Sequence, residues 1–153
     1  MKYRGFTLIE ILIGIALLAI LLALVVAAIN PAQRFQDARN TQRFSDITGI
    51  MDSINLNMLA NNGVWTCAAG VIPTTTKEMA DPTSTPGGYN ICGCLVTPGY
   101  IASMPFDPNA SGASYTSCTT YATKYNVVQS ATTNVITVNA PNAEGGETIS
   151  LSR

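Results

Sequence analysis

Few side chains in this sequence are equipped for chemistry, and their spacing narrows the options further. The 153 residues contain no histidine, which removes the commonest general base and the commonest metal ligand. The acidic residues are dispersed rather than convergent, no Gly-rich phosphate loop follows a strand pattern, and no basic partner accompanies the cysteines for thiolate catalysis. These absences argue against an enzyme, and no cofactor is expected. A formal net charge of −1 gives no basic footprint for nucleic acid. Four cysteines remain, Cys67, Cys92, Cys94 and Cys118. Structural zinc sites usually draw on C-x2-4-C pairs; Cys92-x-Cys94 is tighter than that, and the outer two cysteines have no near partner. Disulfides are the preferred reading, provided the cysteines reach an oxidising compartment. A bond between Cys92 and Cys94 would close a very small, strained ring, so Cys67 and Cys118 are each expected to take one of that close pair. The last reactive group is Glu10, alone in an apolar stretch.

That stretch, Phe6 to Ile29, runs FTLIEILIGIALLAILLALVVAAI, 24 residues with one charge. At ~1.5 Å per residue a helix of this length spans about 36 Å, more than the ~30 Å of a bilayer's hydrocarbon core. Lys2 and Arg4 precede it, which predicts a cytoplasmic N-terminus and an exported remainder. A cleaved secretory signal fits the basic flank, but its apolar core normally takes about 7–15 residues. A plain anchor leaves Glu10 unexplained, because a carboxylate in a membrane helix costs about 2.5–3.5 kcal/mol near its centre and somewhat less near an end. A buried soluble helix would carry a polar face, which this one lacks.

Arg4-Gly5-Phe6-Thr7-Leu8-Ile9-Glu10 resembles the processing site of type IV pilins and type II secretion pseudopilins. The resemblance implies a short basic leader, residues 1–5, cleaved between Gly5 and Phe6 by a prepilin peptidase that also methylates the new N-terminal Phe6. It implies an inner-membrane assembly platform and other pilin subunits as partners, and residence in the cytoplasmic membrane before assembly. The freed amine, with an ordinary pKa of about 7.7–8, would be largely cationic at neutral pH. Glu10 then lies one helical turn on, where the helix dipole favours a carboxylate. The family assigns the equivalent glutamate to the amine of a neighbouring subunit, so Glu10 becomes a registry device for assembly: two charges costly alone in lipid neutralise one another. Losing Lys2 and Arg4 would leave six basic against nine acidic side chains.

The remainder reads as a small α+β head. Asn30-Pro31 ends or kinks the first helix. A second helix follows to about Asn61, with Ile47, Ile50, Met51, Ile54 and Met58 on one stripe, while Asp46, Asp52, Ser53 and Asn57 fall largely off it. Asn61-Asn62-Gly63 reads as its stop. Arg34, Asp37, Arg39 and Arg43 have several possible partners that the sequence alone does not choose between. Residues 63 to about 118 are irregular, broken by Pro and Gly, and hold all four cysteines. Within them, Gly99-Tyr100-Ile101-Ala102-Ser103-Met104-Pro105-Phe106-Asp107-Pro108 is similar to a stretch common in pseudopilins and simple pilins. That likeness makes Asp107 a weak calcium candidate; calcium wants about six to eight oxygens, and Asp107 is the only carboxylate between Asp81 and Glu144, so turn capping suits it better. Asn109-Ala110-Ser111 is a glycosylation sequon. Strands are predicted at Tyr121–Val128, Asn134–Ala140 and Thr148–Ser152.

The fold expected is therefore α+β: a cleaved leader at 1–5, a membrane and assembly helix at 6–30, and an extracytoplasmic head at 31–153 in which a helix packs on a three- to four-stranded antiparallel sheet, the pilin fold. The function expected is that of a structural subunit of a type IV pilus-like surface filament. The alternatives are a secretion pseudopilin forming a periplasmic piston and, from a different class, a membrane-anchored binding module that never polymerises.

Overall fold

The computed structural model describes residues 5–153; Met1–Arg4, most of the expected leader, lie outside the described residues. The chain divides into two compact units, one ending at Gln36 and one running from Asp37 to Arg153. The second unit thus begins inside the second helix rather than at its first residue.

The first unit is dominated by α1, Leu8–Ile29. Its 22 residues span about 33 Å at ~1.5 Å per residue, it contains no buried residue, and by length and composition it qualifies as a membrane span. Thr7, in extended conformation, caps its start. Asn30 ends it in the left-handed region at φ 46°, a conformation Asn tolerates better than most residues. Pro31 then opens α2, Pro31–Ala60, where a missing backbone donor costs nothing because the first-turn amides have no intrahelical partner.

In the second unit, α2 contributes Ile47, Ile50, Met51 and Ile54, all fully buried, to one core with Tyr121, Tyr125, Val127, Ile136, Val138 and Ile149 of the sheet. The sheet is five-stranded and antiparallel: β1 (Lys77–Ala80), β2 (Ser114–Ser117), β3 (Thr120–Gln129), β4 (Ile136–Ala140) and β5 (Ile149–Ser152). Its order is β1-β3-β4-β5, with β2 also paired to β3. The three C-terminal strands fall where alternation places them. The two added strands, β1 and β2, are four residues each and sit in the stretch read as irregular. They are too short for alternation to register, and they exist because β3 is long enough to receive both.

The alternation in β3 is not clean. Lys124 takes φ 61°, and the pairing with β1 slips between Glu78 opposite Asn126 and Ala80 opposite Ala122. This is a bulge, and Thr123 repairs it: its hydroxyl donates to the Met79 carbonyl at 2.8 Å and accepts from the Tyr125 amide at 3.1 Å. α2 stops as its sequence indicates, with Asn62 and Gly63 at positive φ and the Gly63 amide returning to the Met58 carbonyl at 2.7 Å, the left-handed C-terminal cap that Gly favours.

Asp46, Ser53 and Asn57, placed largely off the apolar stripe, are buried in α2. Each is satisfied: Asp46 accepts from Tyr125 Oη at 2.8 Å, the Ser53 hydroxyl donates to the Gly49 carbonyl at 2.7 Å, and Asn57 Nδ2 donates to the carbonyls of Thr66 and Cys94 at 3.0 and 3.1 Å. The buried face of α2 is therefore wider than its apolar residues, because distant chain segments supply polar partners.

Ile54 sits on the apolar part of that face with no exposed surface. Ile54→Ala is expected to lower the unfolding free energy of the full-length protein by about 2–5 kcal/mol, measured by denaturant titration followed by near-ultraviolet circular dichroism.

Candidate functional site

Two constellations of side chains carry the chemistry of this molecule. The first is at the start of α1. Thr7-Leu8-Ile9-Glu10 forms a reciprocal capping box. The Thr7 hydroxyl accepts from the Glu10 amide at 3.3 Å, and Glu10 Oε2 accepts from both the Thr7 amide and the Thr7 hydroxyl at 3.1 Å. Two otherwise orphaned backbone donors are satisfied in one turn, and the carboxylate lies at the positive end of the helix dipole. Phe6, next to the cap, is 80% exposed. Of the expected processing residues, Gly5 and Phe6 lie within the described part of the chain and Arg4 outside it. Thr7 is the functional residue that reasoning on Glu10 alone passes over; the T-x-x-E spacing before an apolar run is its visible signal.

The second constellation lies in the head, where α2 meets two loops. Arg43 is 1% exposed and binds Asp107 through two parallel contacts, Nε to Oδ2 at 2.8 Å and Nη2 to Oδ1 at 3.0 Å. Its third nitrogen, Nη1, donates to Asn40 Oδ1 at 2.9 Å, and Nη2 also reaches Glu144 at 3.3 Å. One turn earlier, Arg39 grips both Glu144 oxygens, Nε to Oε1 at 2.8 Å. Asn40 completes the lattice by donating to the Glu144 carbonyl and to Glu147 Oε2, each at 2.9 Å, and by accepting from the Glu144 amide at 3.0 Å. Arg39 and Arg43 thus spend their charge on their own head.

Asp107 has a second task. Its Oδ1 accepts from the amides of Asn109 and Ala110 at 2.9 and 2.8 Å, which closes the turn after Pro108. Both oxygens are engaged, Oδ2 by Arg43 and Oδ1 by Arg43 and the turn amides together, which is the turn-capping role expected of Asp107. Among the described residues no group of three or more metal-binding side chains converges. The sequon residue Asn109 is also engaged, its Nδ2 donating to Glu144 at 3.3 Å.

The electrostatics follow from these contacts. Burial alone pushes the Asp107 carboxyl up, but the Arg43 hydrogen bonds and the two turn amides outweigh it and hold the group below its ordinary range. The hydrogen bonds from Arg39, with those from Arg43, bring Glu144 down to about 2. The Asp107 contacts raise the Arg43 guanidinium further against the opposing effect of burial. Asp46, one turn on from Arg43 along α2, goes the opposite way: burial raises it despite its bonds from Tyr125 and Gln42.

The cysteines form two disulfides, Cys67–Cys94 and Cys92–Cys118, so the close pair is shared between the two outer partners. Cys92 and Cys94 sit on a single helical turn, α3, Cys92–Leu95. Residues two apart on a helix point about 200° from one another, which is why a C-x-C pair serves two partners on opposite sides. The bridges interleave in sequence and tie the long irregular region to α3 and to the end of β2.

The chain thus pairs an exposed apolar helix of membrane length with a disulfide-stapled α+β head. Residues 1–26 match the family described as the prokaryotic N-terminal methylation motif. Over 107 residues the chain is 31% identical to a protein named type II secretion system core protein G from Pectobacterium carotovorum subsp. carotovorum, covering 70% of this chain and 62% of that one. The chain thus spans less than two thirds of the length of the curated relative it matches. No solved structure matches the chain. The motif and the relative support the resemblance to type IV pilins and type II secretion pseudopilins.

Two outcomes test the head lattice. Arg43→Met leaves the Asp107 carboxylate buried without its partner, and is expected to cost about 3–5 kcal/mol; adding Asp107→Asn, which keeps the turn acceptor but removes the charge, should recover most of that loss. For Glu144 the folded pKa of about 2 lies below the ordinary 4.5, so its stabilisation is fully present above 4.5 and is lost as pH falls toward 2. The melting-temperature gap between wild type and Glu144→Gln should therefore be constant from neutral pH to about 4.5 and close as pH falls toward 2.

Proposed function

We propose that this chain is a structural subunit of a type IV pilus-like filament, processed between Gly5 and Phe6, N-methylated at Phe6, and polymerised through α1. The observation that carries this reading is the pairing of a fully exposed apolar helix with a lone carboxylate at its first turn. A helix meant to stay in lipid gains from Glu10 only the capping of the Thr7 amide, against the cost of a carboxylate near hydrocarbon. A helix that leaves lipid to pack against copies of itself gains a polar registration point, in the same way that a single polar residue fixes register in a coiled coil. Processing would place the cationic amine of Phe6 one turn from the Glu10 carboxylate of its own chain and within reach of a neighbour's. The partners follow from this reading: a prepilin peptidase and methyltransferase, an inner-membrane platform, and other pilin subunits. The location follows too, first the cytoplasmic membrane with a cytoplasmic N-terminus, then a surface fibre.

A second destination, a periplasmic secretion pseudopilus, is favoured by one specific observation, the 31% identity to a type II secretion system core protein G. The surface fibre stays the first reading; the two disulfides fit either destination, since periplasm and cell surface both preserve them.

Intact-mass analysis of membrane-extracted protein tests the first step: the expected product begins at methylated Phe6, and a chain still carrying Met1 would sink the filament reading. Glu10→Ala should still insert and be processed but should give no sheared filaments by electron microscopy; normal filaments would remove the registry role. Labelled surface fibres from wild-type cells separate the pilus from the pseudopilus.

A further inference from the structure

The long irregular region is not only stapled; two long stretches in and beside it carry no charge. Residues 53–76 and 82–106 contain no Asp, Glu, Lys or Arg. They supply most of the wall of a groove of about 580 Å³ beside the disulfides, in which Ala69, Pro82, Tyr89, Gly93, Cys94 and Cys118 are lining residues. The polar side chains at this wall are already committed to the fold. Tyr89 Oη donates to the Gly70 carbonyl at 2.8 Å and accepts from Trp65 Nε1 at 3.0 Å. Asn90 donates to Asp81 and to the Cys118 carbonyl, both at 3.2 Å, and accepts from Tyr121 at 3.0 Å. The Thr119 hydroxyl is paired with that of Ser117 at 3.0 Å.

None of the lining residues is charged and the nearest charge, Asp81, is a carboxylate bonded to Asn90, so the wall gives an anionic ligand no counter-ion and a sugar few free hydrogen-bonding groups, and desolvating either would go uncompensated. What it does offer is a rigid apolar surface containing a half-cystine from each disulfide and an aromatic ring. Polarisable sulfur favours contact with aromatic rings, and two covalent bridges hold the walls in place before any ligand arrives, which lowers the cost of binding. The volume falls within the range of small-molecule sites, about 300–1,000 Å³. We propose that this groove is a binding site for a small uncharged aromatic molecule. The site belongs to the head alone and does not depend on which filament the subunit joins, or on whether it joins one.

Trp65, the sole tryptophan, lies behind the groove wall, bonded to the lining residue Tyr89 at 3.0 Å, so a nitroaromatic ring seated in the groove comes within short-range quenching distance of it. Full-length protein in lipid nanodiscs would be titrated with 4-nitrobenzyl alcohol, a neutral ring that quenches indole at short range, and with 4-nitrobenzoate, the same ring carrying a charge. The alcohol should quench Trp65 fluorescence saturably, with the anion binding at least about tenfold more weakly. A Cβ at Gly93 would meet no atom within 4 Å, so Gly93→Phe should fill the groove and remove the saturable component. Its circular dichroism and non-reduced mass should still match wild type. Ala69→Phe is the second obstruction should Gly93→Phe fail to fold. Linear, unsaturable quenching by the alcohol, equal affinity for the two probes, or saturable quenching that survives in the folded variant would each overturn the site.

Discussion

A guanidinium cannot be hidden from water without a partner, and Arg43, almost wholly inaccessible in the middle of α2, imposes that condition on the rest of the head. Its parallel contacts with Asp107 fix the turn that follows Pro108. Its contact with Glu144 fixes the loop between β4 and β5. Asp107 is tied by its own amide to the Thr123 carbonyl at 2.9 Å, at the bulge of β3. One buried charge therefore sets where three separate stretches meet the helix. Replacing such a pair with apolar residues is often neutral for stability, so the pair is better understood as specifying position. An apolar stripe such as Ile47, Ile50 and Ile54 tolerates sliding along a sheet, whereas a bidentate guanidinium–carboxylate contact has one geometry.

The disulfides do the same work at the other end of α2, by a different physics. Between Asn61 and Ser114 the chain forms only the short elements β1 and α3, so most of its backbone has no ladder to lock it. Closing loops across sequence separations of 27 and 26 residues removes conformations from the unfolded chain, worth about 2–4 kcal/mol per bridge. Asn57 joins this end to the helix, accepting from the Thr66 amide at 3.1 Å while donating to the Cys94 carbonyl. Charge organises the half of the head near Asn40 and Arg43; covalent bonds organise the half near Asn57, where two long segments carry no charge at all.

The parts of this architecture legible in sequence are those written in local patterns. The apolar run gave α1, Asn30-Pro31 marked the break before α2, the Ile and Met stripe marked the core face, and alternation located β3, β4 and β5. What periodicity could not express was a contact between residues far apart in the chain. Arg43 and Asp107 are 64 residues apart, and Arg39 and Glu144 are 105. In the sequence Arg39 and Arg43 have several possible partners, Asp107 reads as a turn cap, and nothing local links any of them to its partner. Asp46 and Asn57 looked solvent-facing because a polar residue's burial depends on a partner that its neighbours do not reveal. Thr7 is the contrary case, since the T-x-x-E spacing is a local pattern written openly in the sequence.

That capping box changes how the cost of Glu10 is reckoned. A carboxylate placed bare in hydrocarbon would be expensive, but here it accepts from the Thr7 amide and hydroxyl at the favourable end of the helix dipole. Under the proposed reading, assembly does not rescue a naked charge; it exchanges a local set of hydrogen bonds for an ion pair with a neighbour's amine. The driving force is then a difference between two satisfied states, much smaller than either alone, as expected of a subunit that must sit stably in the membrane and also leave it. The same reasoning gives Thr7 a share in setting the balance. Strengthening the local cap would hold the carboxylate at home, and weakening it would make the carboxylate more available to the next subunit.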